Sequence, residues 1–357
     1  MSTPQTIQVY TSPAYEVTIG PGLLPNSGAR LREIMSPCRM AVIADSTVAP
    51  LYLGIVVNSL AAAGFDVCSH VFPAGEANKN LTTLSQLLEF LAESHLTRTD
   101  CVVALGGGVT GDMAGFAAAV YLRGIRYVQM PTTVLSAVDS SVGGKTAIDL
   151  KAGKNLAGVF LQPAAVLCDT DCLKTLPADV FADGAAEAIK TGVLCDEQLF
   201  ALFENGDLRA VPEEVIARCV AFKAGVVERD EKEQHERKLL NLRHTIGHAI
   251  EKCSGYAIPH GHAVAAGLAI MARAAERLGW AEAGLSGRIC DCLMKNDLPV
   301  TTDYDAESLF AAAGADKKRS GSSITIVVPA AIGHCELKKI PLKELLPIIQ
   351  AGLPLEM

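Results

Sequence analysis

The chain has 357 residues, half of them hydrophobic and only 5% aromatic, and a formal net charge of −8. Its length allows two domains, and the acidic balance without a dense Lys/Arg run argues against nucleic acid as a partner. The apolar run 263–272, ended by Arg273, falls well short of the roughly 20 residues of a membrane span, and the first residues have neither a basic flank nor an apolar signal core.

The first half alternates short apolar runs with helical patterns. Gln8–Tyr10 and Glu16–Gly20 read as a small hairpin joined through Ser12-Pro13. Met40–Ala44 is a strand ending at Asp45, Val48–Ala63 a helix, and Asp66–Phe72 a further strand. Asn80–Ser94 is amphipathic, with Leu81, Leu84, Leu87, Leu88 and Leu91 on one face. Cys101–Leu105 is a short buried strand running into Gly106-Gly107-Gly108. Strands and helices in alternation predict a parallel, doubly wound sheet. From about Leu173 helical runs dominate: 179–194, 212–228, 238–253, 263–278 and 285–296, with late strand material at 323–329. The fold class is therefore α/β, a Rossmann-like doubly wound domain over 1–176 followed by a mostly α-helical domain over 177–357. Eleven scattered cysteines, none in Cys-x-x-Cys spacing, read as reduced thiols of a cytoplasmic protein.

Four segments carry chemistry. Gly106 to Asp112 follows a strand and opens a helix, where glycines let the backbone approach a pyrophosphate and the helix end supplies N–H groups. It lacks the G-x-G-x-x-G spacing, so a tight strand-to-helix turn explains it equally well. Asp45, at a strand end, is placed either for a ribose diol or as an ordinary helix cap. Val138 to Thr146 is a second Gly-rich loop whose Lys145 suits a phosphate or carboxylate, with Lys154-Asn155 a few residues on. Glu187 and Lys190 sit on a helix of alanines, an ion pair on the bland reading and an anionic metal ligand on the other. The stretch 240–262 holds His244, His248, His260 and His262, four of eight histidines. His244 and His248 share one helix face and His260 opens the next run, a common way to build a divalent-metal site.

The runs Gly-Gly-Gly-Val-Thr-Gly-Asp-Met-Ala-Gly, Pro-Thr-Thr-Val-Leu-Ser-Ala-Val-Asp-Ser-Ser-Val-Gly-Gly-Lys-Thr, Ala-Glu-Ala-Ile-Lys and His-Thr-Ile-Gly-His-Ala-Ile-Glu resemble those of the 3-dehydroquinate synthase family, within the sugar phosphate cyclases. The resemblance covers about Asp45 to Gly333, in order and spacing. It implies a two-domain enzyme using NAD and a divalent metal, Zn or Co, and acting as a homodimer on a sugar phosphate. It implies Glu187, His244 and His260 as metal ligands, and Asp45, Glu76, Lys79, Gly107, Gly108, Asp112, Thr132, Thr133, Lys154 and Thr175 around NAD. Asp139, Lys145, Lys190, Arg237, Asn241 and His248 would be catalytic, with Asn155, Lys223 and either Lys317 or Lys318 binding substrate. Lys145, Lys190, Lys223 and Arg237 supply the cations that a carboxylate and a phosphate need in an otherwise acidic protein.

The implied reaction converts 3-deoxy-D-arabino-heptulosonate 7-phosphate into 3-dehydroquinate and phosphate, by transient oxidation, phosphate elimination, reduction and aldol closure. Two positions depart from the family's pattern. Arg243 stands where Gly is usual, and His260-Gly261-His262 replaces His-Gly-Glu, which leaves His262 as an alternate ligand or a supporting partner. The competing readings are another cyclase, of 2-deoxy-scyllo-inosose or 2-epi-5-epi-valiolone synthase type, a metal-dependent alcohol or glycerol dehydrogenase, and a non-catalytic NAD-binding relative.

Overall fold

A computed structural model describes residues 4–206, 208–234, 237, 240, 244–317 and 323–354. The chain forms two compact units, Met1–Leu176 with Ile216–Lys232, and Pro177–Val215 with Glu233–Met357. Ile216–Lys232 lies inside the range 177–357 read as one helical domain, and it packs in the first unit.

In the first unit the strands are β1 (Gln5–Val9), β2 (Tyr15–Gly20), β3 (Arg39–Asp45), β4 (Asp66–Phe72), β5 (Cys101–Gly106), β6 (Arg126–Pro131), β7 (Lys145–Leu150), β8 (Gly153–Phe160) and β9 (Ala165–Asp169). Its first four helices are α1 (Ser27–Ile34), α2 (Gly54–Ala62), α3 (Leu81–Glu93) and α4 (Gly108–Val120). Seven strands make one sheet in the order β1-β2-β9-β6-β5-β3-β4, parallel throughout except for the β1–β2 hairpin.

The central strands read as unbroken apolar runs because helices cover both faces. Met40, Val42 and Ala44 share one core with Leu31, Val56 and Leu60 of α1 and α2. Ala41 and Ile43, alternating with them, share the other with Leu84, Leu87 and Leu91 of α3 and Met113 of α4. Asn80 caps α3, its Oδ1 accepting the Thr83 N–H at 3.1 Å. The helix expected over 48–63 begins instead with a wide turn, Ala49–Leu53, before α2 starts at Gly54. Pro50 lies in that turn and has no N–H to contribute. The polar stretch around Lys145 is not one continuous loop. Lys145 starts β7, which pairs antiparallel with β8, the strand that carries Lys154 and Asn155.

The second unit contains α5 (Ala178–Cys195) and α6 (Glu197–Asn205). Next comes α7 (Pro212–Arg229), which passes into the first unit from Ile216. The rest is α8 (His244–Cys253), α9 (His260–Arg277), α10 (Leu285–Lys295), α11 (Ala306–Lys317), the antiparallel pair β10 (Ser323–Ala331) and β11 (His334–Pro341), and α12 (Leu345–Gly352). Residues from Ala263 to Ala272 are buried all round, so the apolar run of α9 is a core helix. It packs with Ile246 and Ile250 of α8, Leu309 of α11, Ile326 of β10 and Ile349 of α12. The strand material expected at 323–329 is one arm of a hairpin, and α6, α11 and α12 are additions to the expected helices. Among the described residues no helix is long and apolar enough to cross a membrane.

Candidate functional site

In the first unit, α4 opens with Gly107 at its N-cap and no side chain capping it. The glycines are demanded by the chain's own packing. A Cβ on Gly106 would stand 2.5 Å from the Thr110 Oγ1, and one on Gly107 would stand 3.1 Å from the Thr133 Cγ2. The first N–H groups of α4 thus carry the partial positive charge of the helix end without a side-chain acceptor. Just past β6, Thr132 donates its N–H to Gly106 O at 3.0 Å, while its buried hydroxyl has no partner among the described residues. An open helix start beside a buried, unsatisfied hydroxyl fits a ligand bearing phosphate and hydroxyl groups, as NAD does.

Asp45 behaves as a cap. Its Oδ1 accepts the N–H of Thr47 at 2.9 Å and of Val48 at 3.0 Å, and its Oδ2 accepts the Thr110 hydroxyl at 3.1 Å. Thr133 pairs its hydroxyl with that of Ser136 at 2.8 Å, and Thr175 hydrogen-bonds the hydroxyl of Tyr52 and the carbonyl of Cys172.

Lys79 is 4% exposed, and its ammonium donates at 2.6 Å to Asp112 Oδ2 and at 2.6 Å to Asn155 Oδ1. Burial opposes its charge, but the Asp112 and Glu76 carboxylates outweigh that and hold the group above its ordinary pKa. Asn155 sits in the left-handed region at φ 55°, a conformation held while its side chain meets Lys79. Lys154 stands 3.7 Å from Glu76. Lys223 of α7 donates to the Asp139 backbone oxygen at 2.6 Å and to its Oδ1 at 2.7 Å. Lys145 is exposed at the start of β7.

In the second unit, α5 is buried almost completely from Gly184 to Leu194. Glu187 is 1% exposed and Lys190 is 3% exposed; Lys190 Nζ lies 2.7 Å from Glu187 Oε2. Two charges buried there side by side each offset part of the other's desolvation cost. Glu187 Oε1 lies 3.4 Å from His260 Nε2, at the first residue of α9. The other nitrogen of the ring, Nδ1, lies 3.2 Å from Oε1 of the buried Glu251 on α8. His248 Nε2 is 3.8 Å from Glu251 Oε2, and the His248 and His260 rings are 6.1 Å apart. The start of α9 abuts α5 so closely that a Cβ on Gly261 would lie 1.8 Å from the Asp183 carbonyl oxygen. Arg237 is buried. Asn241, Arg243 and Lys318 lie outside the described residues, as do the side chains of His244 and Lys317.

These donors fit a divalent metal. With bonds near 2.1 Å, two ligand atoms on one tetrahedral ion stand roughly 3.4 Å apart, the separation of Glu187 Oε1 and His260 Nε2. His248, Glu251 and His260 form a second possible set, their ligand atoms within 4.8 Å of one another. Both sets use His260. Two carboxylates beside the histidines of α9, Glu251 against His260 and Asp183 against His262, were not among the expected site residues. Glu251 closes the run His-Thr-Ile-Gly-His-Ala-Ile-Glu three residues after His248, a helical spacing that signals a shared face. Asp183, one helical turn before Glu187, gives no comparable signal, since its partner is 79 residues away.

Solved structures set this architecture among the sugar phosphate cyclases. The chain matches 2-deoxy-scyllo-inosose synthase, solved with carbaglucose-6-phosphate, NAD+ and Co2+, at TM-score 0.85 and 26% identity, over 98% of this chain and 100% of that one. It matches the 2-epi-5-epi-valiolone synthase of Streptomyces hygroscopicus subsp. jinggangensis, solved with NAD+ and Zn2+, at TM-score 0.85 and 26% identity, over 99% and 98% of the two chains. Sequence narrows the class. Residues 69–183 match the 3-dehydroquinate synthase N-terminal model and residues 184–319 the 3-dehydroquinate synthase C-terminal model. The 3-dehydroquinate synthase of Enterococcus faecalis is 43% identical over 338 residues, covering 93% of this chain and 94% of its own. The chain belongs to the 3-dehydroquinate synthase family.

Proposed function

We infer that this protein converts 3-deoxy-D-arabino-heptulosonate 7-phosphate into 3-dehydroquinate and phosphate. The observation that carries the reading is the buried Glu187 facing the half-buried His260, at 3.4 Å, inside a chain matched over both halves by the family. The solved cyclases hold NAD+ with Co2+ or Zn2+, which supports the same two groups here. When bound, NAD supplies a reversible hydride acceptor, and the metal supplies a Lewis acid for substrate hydroxyls.

The first unit holds NAD in this reading, with the α4 N-terminus and Thr132 meeting its phosphate and hydroxyl groups and Lys79, Asp112, Glu76 and Lys154 buttressing that region. The second unit holds the metal through Glu187, His244 and His260. Lys190, Lys223, Arg237, Lys145 and a lysine at 317 or 318 offer charge to the substrate's carboxylate and phosphate. Asn155 and Asn241 hydrogen-bond it, while Asp139 and His248 move protons at its hydroxyls. Lys223 is held by Asp139, so that pair would turn from one another to the substrate as it arrives. Eleven cysteines with no disulfide among them accord with a reducing cytoplasm, and we expect a homodimer.

The test is phosphate release from the heptulosonate phosphate in the presence of NAD. Release should stop on chelation and return with Zn2+ or Co2+. Absence of release by NAD- and metal-loaded protein would overturn the reading. So would full activity of protein shown by elemental analysis to be metal-free.

A further inference from the structure

We propose that Glu251 is a positioning residue that selects which nitrogen of His260 meets the metal. It accepts the Nδ1 proton of His260 and leaves Nε2, the atom facing Glu187, as the metal-binding lone pair. The proposal rests on the metal site read above, with Glu187 and His260 as ligands.

A neutral imidazole offers one lone pair, and the hydrogen bond at the other nitrogen decides where it lies. The His260 ring is flanked by carboxylates at both nitrogens, Glu187 at 3.4 Å from Nε2 and Glu251 at 3.2 Å from Nδ1. Unaided, such a ring would have two nearly equivalent proton positions, and only one suits a metal beside Glu187. Two features break the symmetry. Glu187 already has the Lys190 ammonium at 2.7 Å, whose charge offsets that of the carboxylate and lowers the pull it exerts on a His260 proton. Glu251, 4% exposed, has the His260 and His248 rings at its two oxygens.

The backbone makes Glu251 a fixed point. Helices α8 and α9 cross in near backbone contact, where a Cβ on Gly267 would lie 2.8 Å from Gly247 N and one on Gly247 3.1 Å from Ala263 O. Glu251 is one turn beyond Gly247 on α8, and His260 is one turn before Val264 on α9. The carboxylate-to-ring distance is thereby set by helix packing and not by the ion. A carboxylate behind a metal-bound histidine both orients the ring and raises its basicity.

Zinc affinity and the tautomer of His260 test this. In protein with 15N-labelled histidine, the His260 signals, assigned by their loss in His260→Ala, should show the proton on Nδ1 without metal and zinc on Nε2 with it. Zinc on Nδ1 in the unmutated protein would overturn the proposal without any variant. Glu251→Ala should weaken zinc binding by about 10- to 100-fold and mix the tautomers of the metal-free ring, whereas Glu251→Gln, whose amide oxygen still accepts, should recover part of that loss. A change under threefold in Glu251→Ala, with the tautomer unmoved, would overturn the proposal. So would loss of a donor from the Co2+ absorption spectrum in both Glu251 variants, which would make Glu251 itself a ligand. Glu187→Ala and His260→Ala separate the two readings: if both bind zinc normally, the metal site itself is wrong; if both fail while Glu251→Ala binds normally, only this inference is.

Discussion

Asp183 and His262 form a closed pair. The Asp183 Oδ1 accepts the backbone N–H of His262 at 3.0 Å and its ring Nδ1–H at 3.1 Å. One carboxylate of α5 thus caps the third residue of α9 and holds the imidazole that could otherwise compete for the metal. His262 is engaged with α5 while His260, two residues earlier, turns to Glu187.

His262→Ala should therefore keep metal content within about twofold, whereas His260→Ala should lose it. Elemental analysis after gel filtration decides, and the reverse pattern would move the ligand to His262. Asp183→Ala should lower stability by about 1–2 kcal/mol through loss of the cap, read as a shift in the urea midpoint.

NADH should not accumulate during turnover. A cyclase returns the hydride within each cycle, whereas a dehydrogenase releases it. Following NADH absorbance beside phosphate release distinguishes them, and growth of NADH in proportion to product would favour the dehydrogenase reading.

Lys79→Met should be costly. It leaves Asp112 without its ammonium, and breaking one side of a buried ion pair costs about 3–5 kcal/mol. Adding Asp112→Leu should recover part of the loss, because the uncompensated carboxylate goes with it. Denaturant unfolding of the single and double variants measures this. A single-variant cost below about 1 kcal/mol would show that the pair is hydrated.

Asp100 ties the start of β3 to the turn before β5, accepting the N–H groups of Arg39 at 2.8 Å and Thr97 at 2.6 Å. Burial pushes its carboxyl up, but the hydrogen bonds from Thr97 and Arg39 outweigh that and hold it below the ordinary value. A carboxyl depressed in the folded state adds stability above its unfolded pKa of about 3.9 and loses it as pH falls through the lower folded value. The gap in melting temperature between the parent and Asp100→Asn should be full near pH 6 and should close below about pH 4.

Much of the doubly wound unit was legible because its strands are apolar on both faces and its helices on one. Asp66–Phe72 and the leucine face of α3 follow from period alone. The β7–β8 hairpin was hidden by its mixed composition, Thr-Ala-Ile-Asp-Leu against Gly-Lys-Asn-Leu-Ala, where polar residues serve the Lys79 network instead of solvent. The helices α6 and α12 were hidden because they are short, nine and eight residues, although Asp196 caps α6 locally by accepting the Leu199 N–H.

By itself the sequence determined the residue types and their local geometry: a glycine turn opening α4, Glu187 three residues from Lys190, and histidines at the starts of α8 and α9. Local periodicity suffices for these, because side chains three or four apart on a helix must share a face. Only the tertiary structure decided the partners. Asp139 meets Lys223 across 84 positions, Asp183 takes His262 across 79, and the two nitrogens of His260 face carboxylates from two different helices. No spacing rule reaches that far; helix packing brings such groups together, and whether a buried charge is an ion pair, a cap or a ligand depends on what that packing puts beside it.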